Sequence, residues 1–162
     1  MNDGVKVGDY ITDFSCIYRV TAVKQGEGGK MVHFRPHSSS DKVFTATLPL
    51  DGFKKAGMRK VLTLAEIKKM LAELKEPVGI EYDIMTAKEE MYRNEPSKIS
   101  SVLVYYWGRR DFIGKPERDM LEQIVEHLCQ EVAVANDKKY PETRKMIVAL
   151  LDKYHHKQEK PV

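Results

Sequence analysis

The chain has 162 residues, 42% of them hydrophobic and 31% charged, with a formal net charge of +3. That length allows one domain or two small ones with a real core, and the composition is that of an ordinary soluble protein. No apolar run reaches the roughly 18 residues of a membrane span and no charged-then-apolar leader opens the chain, so the expectation is a cytoplasmic protein with no membrane partner.

The first strand is expected in Val7-Gly8-Asp9-Tyr10-Ile11-Thr12, after a Gly-Asp turn, and the second in Ile17 to Val23. Gln25 to Gly29 is rich in glycine, which suits a hairpin connection because glycine accepts positive φ. This loop lacks the Lys-Ser/Thr of a P-loop and does not lead into a helix, so it is no phosphate cradle. Lys30 to Pro36 alternates and ends at a proline, giving a third strand, and the polar run His37 to Lys42 leads to a fourth from Val43 to Leu48, stopped by Pro49. Short antiparallel strands over so few residues predict a small, strongly bent sheet or partial barrel, of Tudor-like size.

After the turn residues Asp51-Gly52 and Ala56-Gly57 the hydrophobic period changes from two to between three and four. Thr63-Leu64-Ala65-Glu66 reads as a capping box with Leu62 and Ile67 as its staple, so a helix starts at about Leu64 with a stripe of Leu64, Ile67, Leu71 and Leu74. A second helix is expected over residues 79 to 93, with Ile80, Ile84, Ala87 and Met91 on one side. Asn94 is read as the N-cap of the next, whose apolar face is Ile99, Val102, Leu103, Tyr106 and Trp107. Pro116 begins the most apolar stripe, through Met120, Leu121, Ile124, Val125, Leu128, Val132 and Ala135. A last helix from Pro141 is expected to pack through Met146, Ile147, Leu150, Leu151 and Tyr154, before a charged tail from His155. The predicted class is therefore α+β: a β unit over residues 1 to 60 and an all-helical bundle over residues 61 to 162.

Residues 1 to 76 carry 13 Lys and Arg against 9 Asp and Glu, while residues 77 to 162 carry 14 against 15. A protein devoted to nucleic acid carries a larger basic surplus, so any DNA contact is expected to be small or cooperative with another partner. Cys16 and Cys129 lie far apart with no neighbour at metal-ligand spacing, which predicts two reduced thiols and no metal site. His155 and His156 are adjacent and would point apart on a helix, and His33 and His37 frame a strand end. His127 lies on a core stripe, as a satisfied structural histidine does. No nucleophile elbow, Walker or zinc-protease motif occurs, so neither enzyme activity, a cofactor nor a small-molecule substrate is expected. Tyr105-Tyr106-Trp107-Gly108-Arg109-Arg110-Asp111 puts three aromatics beside two arginines at a helix end. The arginines suit the helix dipole there, and they are also candidates for phosphate contact.

Several motifs in a fixed order resemble the CarD/CdnL family of bacterial transcription factors that bind RNA polymerase. They are Val7-Gly8-Asp9-Tyr10, a strand ending in Leu48-Pro49, Gly57-Met58-Arg59 before a capped Leu-rich helix, Arg109-Arg110-Asp111 at a helix end, and Glu131-Val132-Ala133-Val134-Ala135 in a long helix. The resemblance spans nearly the whole chain. It implies a Tudor-like domain that docks on the polymerase β subunit by pairing sheet edges, and a helical domain that contacts the promoter bubble weakly through the minor groove and phosphates, stabilising the open complex. On that implication Lys30, Met31, Val32, His33, Phe34 and Arg35 are expected to form the docking edge, with Thr47 at the place facing the polymerase. Tyr82 would be the wedge, and Lys88, Arg109 and Arg110 would hold phosphates. The chain departs from the family in having Asp13-Phe14-Ser15-Cys16-Ile17 for a Tyr-Pro-x-His-Gly type loop, Thr47 for a basic residue, and Tyr82 for a tryptophan. The alternatives are a protein-protein adaptor that never touches DNA and an enzyme whose site is assembled from residues distant in sequence.

Overall fold

The computed structural model describes residues 4 to 37 and 45 to 158. The chain divides into two compact units, Met1–Val61 and Leu62–Val162, and the fold is α+β.

In the first unit β1 (Tyr10–Thr12), β2 (Ile17–Gly26), β3 (Gly29–Pro36), β4 (Ala46–Pro49) and β5 (Arg59–Lys60) form one antiparallel sheet in the order β4-β3-β2-β1-β5. Gly26 pairs with Gly29, so the glycine-rich loop is a tight two-residue turn, with φ of 112° at Gly29. Ile11, Val20, Val32, Phe34, Phe53 and Met58 make the core. Val43, Phe44 and residues 38 to 42 of the polar run lie outside the described residues; the strand is seen from Ala46.

One expectation is overturned here. Lys30, Met31, Val32, His33, Phe34 and Arg35 are not a sheet edge, because β3 pairs with β2 on one side and β4 on the other. Ala46 and Leu48 pack against the core, which folds β4 back onto β3 and moves the edge outward by one strand. The far edge, β5, was not foreseen. It has two residues, too few for any period to show, and is held by pairing with β1 and by Val61 N–H donating to the Tyr10 carbonyl.

The second unit contains α1 (Leu64–Glu73), α2 (Ile84–Arg93), α3 (Pro96–Trp107), α4 (Lys115–Asn136) and α5 (Tyr140–Tyr154). The capping box at Thr63 and Glu66 is formed in both directions. Leu64 is exposed, and the buried stripe of α1 is Ile67, Met70 and Leu74. The second helix starts at Ile84 rather than 79, because the Asp83 carboxylate accepts from Thr86 N–H at 2.8 Å and caps it there; Ile80 is left exposed. Asn94 closes this helix in the left-handed conformation, φ 60°, instead of opening the next one. Ile99, Leu103, Ile124, Leu128, Ile147 and Leu151 fill the core. In α5 the buried positions are Thr143, Ile147 and Leu151, four residues apart, so Met146 and Tyr154 face outward. No helix among the described residues is long and apolar enough to cross a membrane.

Candidate functional site

The strand alternation fixes which backbone groups of β4 turn away from β3. Gly26 and Gly29 flank a two-residue turn and form a hydrogen-bonded pair, so every second residue of β3 from Gly29 directs its backbone groups to β2. Val32 and Phe34 then bond Leu48 and Ala46, and the N–H and C=O of Thr47 point away from the sheet. Its exposed side chain lies beside His33, with Thr47 Oγ1 and His33 Nδ1 at 3.0 Å. Pro49 has no N–H, so Thr47 is the donor along β4 for an incoming strand. Of the residues expected at the docking edge, only Thr47 is on it; Val32 and Phe34 are core.

The β1–β2 turn is built from its own side chains. Buried Thr12 donates through Oγ1 to the Cys16 carbonyl at 2.9 Å and accepts from Phe14 N–H at 3.0 Å. Asp13 accepts from Ser15 N–H and Oγ, Cys16 N–H and the Tyr18 hydroxyl. Burial pushes the Asp13 carboxyl up, but these hydrogen bonds outweigh it and hold it below the usual 3.8. Burial first, and then the Asp13 charge, push the Tyr18 hydroxyl up to about 12. Burial and Asp13 also raise the Cys16 thiol, so this half-buried cysteine stays a thiol at neutral pH.

In the helical unit Tyr82 and Arg109 meet on one ring. Tyr82 lies edge-on to Tyr105 at 5.5 Å, and the Arg109 guanidinium stacks 3.9 Å from the centroid of Tyr105 while Nη1 donates to the Tyr105 carbonyl at 2.7 Å. Arg110 is engaged elsewhere. It stacks on Trp107 at 4.3 Å, donates to the Trp107 carbonyl at 2.6 Å and pairs with Asp152 at 3.0 Å. Trp107 Nε1 donates to the same Asp152 oxygen, so this group ties α3 to α5. Lys88 is exposed on a cleft of about 370 Å³ between α2 and α4, beside Tyr92 and Lys115, whose ammonium pairs with Asp119 at 2.7 Å. The residues expected on DNA thus form one pair, Tyr82 with Arg109, and two separate cations. Sequence reading named Tyr105 among the aromatics beside the arginines but gave it no role, although its spacing of four residues from Arg109 was a signal. It missed Asp152, which is remote in sequence from both its partners and gave none.

Among the described residues no group of three His, Cys, Asp or Glu side chains is arranged to hold a metal ion. His127 and Cys129 are buried in α4, and burial raises the Cys129 thiol to about 11. No family profile matches the chain, and no curated protein matches it.

Proposed function

We propose that this chain is a non-enzymatic transcription factor of CarD-like type, whose β unit adds a strand of the RNA polymerase β subunit at β4. The observation that carries this reading is the outward backbone of Thr47 on β4, a terminal strand of the sheet whose other side is paired with β3. Main-chain pairing supplies affinity there, and the side chains of Thr45 and Thr47, both exposed, supply recognition. The helical unit contacts promoter DNA weakly through Tyr82 and Arg109, with Lys88 as a further phosphate contact; Arg110 is a structural residue.

A second reading, an adaptor that binds proteins only, is favoured by the ion pair of Arg110 with Asp152 and by the stacking of Arg109 on Tyr105. Both cations spend donors on carbonyls of α3.

The test is capture of polymerase β-subunit fragments by the full chain. Thr47→Pro removes the outward N–H and leaves the β3–β4 ladder, so it should keep the fold and lose capture. Retained capture would sink strand addition at β4. In a parallel anisotropy titration with a forked promoter duplex, Tyr82→Ala should weaken binding several-fold; no binding by the wild-type chain would leave the adaptor reading.

A further inference from the structure

We infer that the outer face of the β unit's sheet binds single-stranded nucleic acid, a role independent of polymerase docking at β4. The face follows from the register. Tyr10 stands opposite Arg19 and Arg19 opposite Arg35, so one row of side chains across β1, β2 and β3 reads tyrosine, arginine, arginine. Two residues from Arg35 along β3 is His33, and beyond a bulge in β2 Lys24 stands opposite Met31 on the same side. Ile11, Val20, Val32 and Phe34 occupy the other side, in the core.

Two carboxylates of the β unit are engaged away from this row. Residues 1 to 61 carry ten Lys and Arg against six Asp and Glu. Asp9 pairs with Lys60, and Asp13 accepts from Tyr18; both partners stand opposite Ile11, away from the arginine row. Arg19, Lys24 and Arg35 have no ion-pair partner among the described residues. Directly opposed like charges destabilise an antiparallel pair. A run of phosphates laid across the strands would convert that repulsion into two charge-assisted contacts, with guanidinium forks matched to phosphate oxygens.

Tyr10 selects among polyanions. Its ring is half-buried, 4.9 Å edge-on from His37 and 5.9 Å from the Arg19 guanidinium, at the end of the cationic row. An aromatic beside cations on a sheet is the arrangement on which unpaired bases stack, and every base offers a face. A duplex keeps its bases paired, and its major groove admits a helix or a two-stranded ribbon, not the face of a multi-stranded sheet.

The test is fluorescence anisotropy of the full chain with a labelled oligothymidylate at low salt, with a duplex of equal charge and polyglutamate as competitors. Arg19→Gln with Arg35→Gln should weaken oligonucleotide binding at least tenfold and flatten the log–log salt dependence by roughly 1.4, at about 0.7 per phosphate contact. The thermal midpoint of this double variant should not fall, since a like-charged pair is removed. Tyr10→Leu should weaken binding about fivefold or more, the loss of one stacked base. Unchanged binding in the double variant, or no binding by the wild-type chain, overturns the assignment. Equal competition by polyglutamate also overturns it and makes the face a dock for an acidic protein surface.

Discussion

Phe14 is 2% exposed and holds a φ of 66°, a conformation that bulky side chains seldom adopt. Such strain costs of order 1–3 kcal/mol and persists only where the surroundings enforce it. Thr12 and Asp13 do so here: the Thr12 hydroxyl grips the chain on both sides of Phe14, and the Asp13 carboxylate collects four donors. Replacing Thr12 by Val leaves buried backbone groups without that hydroxyl and should cost about 1–3 kcal/mol in urea unfolding of the β unit. Asp13→Ala should cost roughly 1–2 kcal/mol at pH 7. Its pH dependence has a definite sign. The folded carboxyl titrates below its unfolded value, so its contribution is complete above about pH 4 and fades as pH falls through the depressed folded pKa. The gap between wild type and Asp13→Ala should therefore narrow as pH falls below about 4. A gap that stays constant would mean that the ionised carboxylate is not what holds the turn.

Elements are fixed to one another by a few polar side chains whose partners are distant in sequence. Glu131 on α4 is fully buried, and its Oε2 accepts from Leu62 N–H at 2.9 Å, anchoring the residue before the α1 cap. Glu131→Ala leaves that N–H without this acceptor and should cost about 1–3 kcal/mol, whereas Glu131→Gln keeps an acceptor and should cost less; urea unfolding of the pair decides it. At the end of α3, Arg110→Gln should lower the unfolding midpoint by several degrees, because it breaks the link to Asp152 and a carbonyl contact. Arg109→Gln should lower it less, since the side-chain contacts described for Arg109 are to Tyr105 of α3. An equal loss would contradict the division of roles. These links also mark where sequence reading stops. The capping box at Thr63 and the stripe of α4 are legible because they are local or periodic. The sequence pattern of β3 is also right, yet its place in the sheet depends on how β4 folds back, which no local pattern records. Tyr82 and Arg109 were both named, but their meeting on Tyr105 needs α3 and the loop before α2 in one place. Asp83 and Asn94, side by side with the same helix, differ only in which end they close.

At the scale of the whole molecule, the two compact units should differ in stability. A unit of roughly 60 residues buries only about 60% of its unfolded surface, so the β unit is the weaker. The helical unit has a larger core and mostly local contacts. Trp107 is the sole tryptophan, is 8% exposed and sits at the end of α3, so its fluorescence reports the helical unit. Val32, fully buried in β3, reports the other: a proline there removes a bond to β4 and breaks the core of the sheet. Val32→Pro should abolish the dispersed strand amide resonances while leaving the Trp107 emission maximum and its urea midpoint within error of wild type. In the wild-type chain, strand amides should disappear at lower urea than the Trp107 transition. Should Trp107 unfold together with the strands in both proteins, the units would be one cooperative body, and Thr47→Pro would have to be checked for effects on the helical unit before its loss of capture is assigned to the β4 edge.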